Sequence, residues 1–274
     1  MPINPDPRPI GMFDSGEGGL TVLKRAWDLY PGEHYLYAAD SVHFPYGTRS
    51  LAEVRKFFMG FLDFFISQHV KAIIIACNTA TAAALEIAQA HSPVPVIGVI
   101  QPGVAQALKS SKTGVIGILS TEATYRAEVY PRALKALNAN VQALAAPCPV
   151  LVTMVEAGQT DGPQVEKRVR HCTRSLLAQH ADTLILGCTH FPHMEHIFAK
   201  VVADQAVIVD PGLATARLLP TILGPLNTTD DGAIRFYTTG EPKQALHIAR
   251  ILWPKMSEQP RQLHWHQGQL VELS

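Results

Sequence analysis

Short, almost unbroken apolar runs alternate with longer amphipathic stretches along this chain, and that alternation most constrains its fold. The runs fall at 10–13, 34–39, 72–76, 94–100, 115–119, 141–145, 183–186 and 207–209. Between them, 51–68, 81–90, 125–137 and 164–179 carry apolar residues at helical spacing. Strands alternating with helices build βαβ units around a mostly parallel sheet. Runs apolar at every position, rather than at every second one, fit strands covered on both faces. Ligand sites in such sheets lie beyond the carboxyl ends of the strands.

A faint repeat divides the alternation in two. Ile10-Gly11-Met12-Phe13-Asp14-Ser15 resembles Ile116-Gly117-Ile118-Leu119-Ser120-Thr121. Ile73-Ile74-Ile75-Ala76-Cys77-Asn78-Thr79 resembles Leu184-Ile185-Leu186-Gly187-Cys188-Thr189-His190, and 35–40 falls near 141–146. Three matches in one order at similar offsets predict two pseudo-symmetric α/β domains with parallel sheets and a cleft between them. Gly/Pro-rich breaks at 98–103 and 210–212 are the candidate crossings. The expected division is 1–99 plus 213–274 for the first domain and 100–212 for the second. The tail offers a helix from Leu213, a run at 234–238, a helix near 243–251 and a run at 270–273, which would rejoin the first half.

Composition narrows the classes. At 274 residues, with domains of about 150 residues as the prior, two domains are expected. A hydrophobic share of 47% against 17% charged supplies a core and excludes a disordered chain. Lys plus Arg and Asp plus Glu both number 23, so nothing points to nucleic acid or an anionic membrane as partner. The opening 1–9 lacks the basic start and apolar core of a signal peptide. The most apolar stretch, 70–90, is broken by Lys71, Asn78, Thr79, Thr81 and Glu86 and reads as strand then helix. Four cysteines, Cys77, Cys148, Cys172 and Cys188, in a long unsecreted chain do not read as a disulfide framework. The expected compartment is a reducing cytoplasm.

Each half ends an apolar run on a cysteine followed by small polar residues. Cys77-Asn78-Thr79 leads into an alanine-rich helix start, and Cys188-Thr189-His190 leads to Phe191-Pro192, with Pro favouring a first helical turn. A thiol at a helix N-terminus is expected to have a depressed pKa, and the free N–H groups there suit a carboxylate. One such cysteine is ordinary core; two at matching strand ends point to function. Asp14-Ser15-Gly16-Glu17-Gly18-Gly19 follows the first run, where glycines admit a ligand and Asp14 can orient or deprotonate a group. It is neither a dinucleotide fingerprint, since Thr21 stands where the third glycine belongs, nor a P-loop. Phe44-Pro45-Tyr46-Gly47-Thr48 is a turn that either lines a pocket or only connects elements. His190 is either a loop histidine or an acid/base tuning the neighbouring thiol. His190, His193 and His196 raise a metal question, but only His193 and His196 share a face, and no metal site is expected. Cys148 and Cys172 read as structural, and Glu156 as a carboxylate on an apolar helix face.

Together Phe13-Asp14-Ser15-Gly16-x-Gly18-Gly19-Leu20-Thr21, Pro45-Tyr46-Gly47, Ala76-Cys77-Asn78-Thr79-Ala80 and Gly187-Cys188-Thr189-His190-Phe191-Pro192 resemble the glutamate racemases of the aspartate/glutamate racemase superfamily. The likeness runs from about Ile10 to the helix near Ile251. It implies a cytoplasmic racemase that uses no cofactor and supplies D-glutamate for peptidoglycan, with room for a homodimer. It implies Cys77 and Cys188 as the bases, with Asp14, His190 and Glu156 assisting. It also implies that Asp14, Ser15, Tyr46, Gly47, Asn78, Thr79, Thr121, Thr189 and His190 bind substrate. Gln101 and Pro211 depart from the family pattern, which usually has an acidic residue and a serine there. The residues leave other classes open: a racemase or decarboxylase of another acid, a cysteine hydrolase or thiol oxidoreductase, and a two-lobed binding module. The absent Cys-x-x-Cys and the paired thiols weigh against the last two classes.

Overall fold

The computed structural model describes residues 5–228 and 231–272. Residues 1–4, 229–230 and 273–274 lie outside it, including the first four residues of the opening segment and the last residue of the 270–273 run. In chain order the first lobe runs β1 (Ile10–Asp14), α1 (Leu20–Leu29), β2 (Tyr35–Ala39), α2 (Leu51–Ser67), β3 (Ala72–Ile75), α3 (Asn78–His91) and β4 (Val96–Gly98). The second runs α4 (Ile100–Ser110), β5 (Val115–Ser120), α5 (Glu122–Arg126), α6 (Val129–Leu137), β6 (Gln142–Pro147), α7 (Pro149–Glu156), α8 (Pro163–Leu177), β7 (Thr183–Gly187), α9 (Glu195–Val202) and β8 (Val207–Val209). The chain then returns through α10 (Pro211–Leu223), β9 (Ile234–Thr238), α11 (Pro242–Leu252), β10 (Arg261–His266) and β11 (Gln269–Glu272).

Two separate sheets result. One has the order β11-β10-β9-β2-β1-β3-β4 and the other β6-β5-β7-β8. Every described pairing is parallel except β10 with β11. The order β2-β1-β3-β4 reappears as β6-β5-β7-β8, and the three sequence matches fall on β1/β5, β2/β6 and β3/β7. Continuous apolar runs follow from cover on both faces. In β1, Ile10 and Met12 join the core under α1 and α10, while Phe13 packs beneath the aromatic face of α2 with Phe58, Phe61 and Phe65. In the smaller sheet, Leu184 and Leu186 meet α8 and α9, while Ile185 meets α4 and α6.

The chain passes from the larger sheet to the smaller one between β4 and β5 and returns between β8 and β9. Asp210 caps α10 by accepting from the Gly212 N–H at 2.8 Å, and Arg25 of α1 pairs with both Asp210 and Glu195. Pro211 is the buried first residue of α10, where a missing N–H costs nothing, and Gln101 is exposed on α4. No helix among the described residues is long and apolar enough to cross a membrane.

Four expectations need correction. The expected 125–137 helix is two, because Glu128 adopts a left-handed φ of 51° between α5 and α6. The 94–100 run ends as a strand at Gly98, and Ile100 already begins α4. β10 was not anticipated, because Arg261–His266 mixes His and Trp with polar residues near the sheet edge. The cysteines are not all unpaired: Cys148 and Cys172 form a disulfide, with Cα atoms 6.0 Å apart. Packing of α7 on α8 brings together two positions well separated in sequence.

Candidate active site

The two sheets aim equivalent strand ends at each other. β3 and β7 hold the same place in their sheets, and each is followed within two residues by a free, buried cysteine, Cys77 and Cys188. Both line one cavity of about 210 Å³. Drug-sized ligands occupy roughly 300–1,000 Å³, so this space suits a smaller metabolite. Ser15, Tyr46, Gly47, Asn78, Thr79, Thr121, Glu156, Thr189 and His190 share its wall. Asp14 stands behind that wall, fully buried. A larger hollow of about 600 Å³ lies elsewhere, between α2, α3, α4 and α6, and contains neither thiol.

Cys77 caps α3, its sulfur accepting from the Ala80 N–H at 3.4 Å and lying 3.8 Å from Ser15 Oγ. Helix position alone predicted a depressed pKa for this thiol. Burial instead pushes it up, and the Asp14 carboxylate adds to the rise, so Cys77 rests as a thiol. Cys188 departs from its expected setting too. A 3₁₀ turn, Phe191–Met194, follows it, and α9 starts only at Glu195. The intervening residues serve the site and core: His190 Nδ1 lies 3.7 Å from Cys188 Sγ, and Phe191 is wholly buried.

Each thiol therefore has an acid/base group beside it. Asp14 accepts from the Ser15 N–H at 2.6 Å and from Thr189 Oγ1 at 2.8 Å. Burial nevertheless raises its pKa, and the nearby His190 charge opposes that rise. His190 Nε2 and Glu156 Oε1 are 2.5 Å apart. Burial lowers the affinity of this imidazole for its proton, but hydrogen bonds to Cys188 and Glu156 outweigh it and hold His190 well above its ordinary pKa. His190 is thus held toward its protonated form.

Hydroxyls and amides complete the wall. Thr79 Oγ1 lies 3.1 Å from both Thr121 Oγ1 and Thr124 Oγ1, and Thr121 caps α5. Gly47 is required here, because a Cβ would sit 2.8 Å from Thr121 Cβ. Tyr46 contributes its ring and backbone rather than its hydroxyl, which donates to Asp40 Oδ2 at 2.6 Å.

Among the described residues no group of three or more His, Cys, Asp or Glu side chains is placed to hold a metal ion. His193 is half-buried, and burial drops its pKa to about 3, while His196 is exposed 3.6 Å from Asp161.

Several residues at the site escaped the sequence reading. Asp40 gathers hydrogen bonds from Tyr46 and Thr239 and lies 2.9 Å from His43 Nδ1; its signal was a second apolar run ending on a carboxylate. Glu17 is buried and accepts from Ser41 Oγ at 2.8 Å. Burial lifts its carboxyl to about 7, with Glu156 and Asp14 adding to the rise. Pro149, Val152 and Thr153 supply cavity wall, and nothing in the spacing said that α7 lies across the cleft.

The fold and the site together define a two-lobed α/β enzyme that presents one thiol from each lobe to a shared small-molecule cavity. The sequence matches the Asp/Glu/hydantoin racemase family over residues 21–219, and the chain belongs to that family. A glutamate racemase of Symbiobacterium thermophilum is 45% identical over 95% of this chain and 96% of its own length. A glutamate racemase isoform from Bacillus anthracis superposes with a TM-score of 0.90 at 35% identity, covering 96% of this chain and 98% of that one. The Francisella tularensis glutamate racemase, solved in complex with D-glutamate, has a TM-score of 0.85 at 35% identity, covering 93% and 96%.

Proposed function

We propose that this racemase interconverts L- and D-glutamate without a cofactor, using Cys77 and Cys188 as bases on opposite faces of Cα. The observation that carries the reading is the placement of two free thiols, at topologically equivalent strand ends, on one cavity. Relatives at 35–45% identity over nearly the whole chain, all glutamate racemases, support glutamate as substrate.

In either direction one sulfur, as thiolate, removes the Cα proton, and the electron pair of the C–H bond passes into the α-carboxylate as an enediolate-like carbanion. The opposite thiol then gives its proton to the other face, and the pair ends with its protonation states exchanged. Asp14 serves the Cys77 side and His190, held by Glu156, the Cys188 side. Ser15, Asn78, Thr79, Thr121, Thr189 and the turn at Tyr46-Gly47 hold the substrate's charged groups. Such donors stabilise the developing charge most effectively where water is excluded. D-glutamate made this way would feed peptidoglycan synthesis.

The test is chiral chromatography of each glutamate enantiomer with purified protein and with Cys77→Ser and Cys188→Ser. A positioned base contributes roughly 10²–10⁴-fold, so each substitution should lower turnover by about that factor. In deuterated water the newly formed enantiomer should carry deuterium at Cα. Near-normal racemisation by either variant would refute the two-thiol mechanism. Equal rates on aspartate would remove the glutamate assignment and leave the family.

A further inference from the structure

Asn78 lines the cavity, but an asparagine amide presents an acceptor on one side and a donor on the other. Which side faces a bound carboxylate decides whether Asn78 attracts or repels it. One contact fixes that choice. Tyr130 Oη donates to Asn78 Oδ1 at 2.6 Å, and Asn78 Nδ2 donates to none of the described residues. Asn78 is only 4% exposed and lines the cavity, so that amino group is a donor at the cavity wall. A ligand acceptor in the cavity would complete the amide's hydrogen bonding.

The phenol that sets this orientation belongs to the other lobe. Tyr130 lies in α6, is wholly buried, and packs among Ile116, Ile118 and Ile185 of the smaller sheet. Its ring has a fixed seat, since a Cβ on Gly187 would come within 3.0 Å of Tyr130 Cε2. Burial also holds the phenol well above its ordinary pKa, so its proton is always available to donate.

We propose that Tyr130 is a positioning residue that holds the Asn78 amide with its NH₂ toward the cavity, making Asn78 a donor for a substrate carboxylate. The contact spans the two lobes, so the donor is set only when they are docked. The proposal rests on the racemase reading above and goes beyond it, because the phenol takes no part in proton transfer.

The test compares wild type, Tyr130→Phe, Asn78→Ala and the double variant, with KM and kcat for both enantiomers, thermal midpoints, and calorimetric binding of glutarate, a dicarboxylate without a Cα amine. Tyr130→Phe keeps the ring but frees the amide. It should raise KM and the glutarate Kd by roughly fivefold to tenfold, the loss of about one hydrogen bond, with kcat changed less than twofold. In the Asn78→Ala background the same substitution should change KM less than twofold. Asn78→Asp keeps the acceptor for Tyr130 but removes the donor, and should lose binding at least as far as Tyr130→Phe.

An unchanged KM in Tyr130→Phe, or the same KM loss with and without Asn78, would make Tyr130 a packing residue and overturn the proposal. Should Tyr130→Phe fail to fold, tight glutarate binding by Asn78→Asp would overturn it equally. Wild-type protein that binds glutarate but leaves glutamate unracemised would refute the function reading alone. Wild type that does neither would refute both.

Discussion

Glu17 offers a test of the site's electrostatics that needs no substrate. The carboxyl ionises at 4.5 in the open chain and at about 7 in the folded protein, chiefly because burial penalises the charged form. Above pH 7 the folded protein must hold a buried carboxylate that the unfolded chain ionises freely. With about 1.36 kcal/mol for each tenfold change in proton affinity, that costs about 3 kcal/mol. Glu17 is 4% exposed, so solvent screening takes little from that figure. The sign follows from the raised folded value. Between pH 4.5 and 7 the folded state binds more protons than the unfolded one, so stability is full below 4.5 and falls as pH rises to 7. Glu17→Gln keeps an acceptor for Ser41 Oγ and removes the titration. Urea unfolding of both proteins from pH 4 to pH 8 isolates it, since all other groups titrate in both. The variant should gain about 3 kcal/mol relative to wild type across that window. A stability difference that does not vary with pH would refute the claim that burial governs this carboxyl.

Three further outcomes are expected. Gly18→Ala places a Cβ 2.5 Å from His190 Cε1, so the imidazole must shift and racemisation should fall by about 10²-fold; full activity would show that His190 need not sit where it does. Glu156→Gln removes the carboxylate that helps His190 keep its proton, so the alkaline limb of the kcat/KM profile should move to lower pH, and an unmoved limb would deny the pair its role. Cys148→Ser and Cys172→Ser should stay active but lose stability, by roughly 3 kcal/mol for a loop of this length in an oxidised sample, and that loss should vanish when wild type is compared under reductant.

The sequence made the central strands legible because burial on both faces leaves a continuous apolar run, as at Ala72–Ile75 and Thr183–Gly187. β10 lacked that signal, because near a sheet edge alternation with polar residues is tolerated. The α5/α6 break was hidden because Glu128, neither Gly nor Pro, takes the left-handed turn. Within the site, residues directly after a strand could be read: Asp14, Ser15, Cys77, Asn78, Thr79, Cys188, Thr189 and His190. What surrounds them could not. The wall given by α7 and the Tyr130 contact with Asn78 arise only through the packing of one lobe on the other, which no local pattern encodes. The thiol of Cys77 shows the same limit, since its helix position argued for a low pKa and burial decided otherwise.

That dependence on lobe packing bears on how the site must work. The repeat makes the two thiols topologically equivalent, yet their surroundings are unlike, a carboxyl on one side and an imidazole on the other. In each half the auxiliary group also meets the opposite lobe. Asp14 of the first lobe takes the hydroxyl of Thr189 from the second. His190 of the second lies against the bare Cα of Gly18 from the first. Thr21 Oγ1 donates to the Thr189 carbonyl at 3.0 Å, and Tyr130 reaches Asn78 in the other direction. Both thiols are buried at the wall of a cavity of about 210 Å³ to which both lobes contribute. The Thr189–Asp14, Thr21–Thr189 and Tyr130–Asn78 hydrogen bonds and the Arg25 ties to Glu195 and Asp210 all cross from one lobe to the other, whereas the His190–Glu156 pair lies within the second. The docking of the lobes therefore sets the Asp14 and Asn78 side of the site, while the acid/base pair beside Cys188 is built within its own lobe.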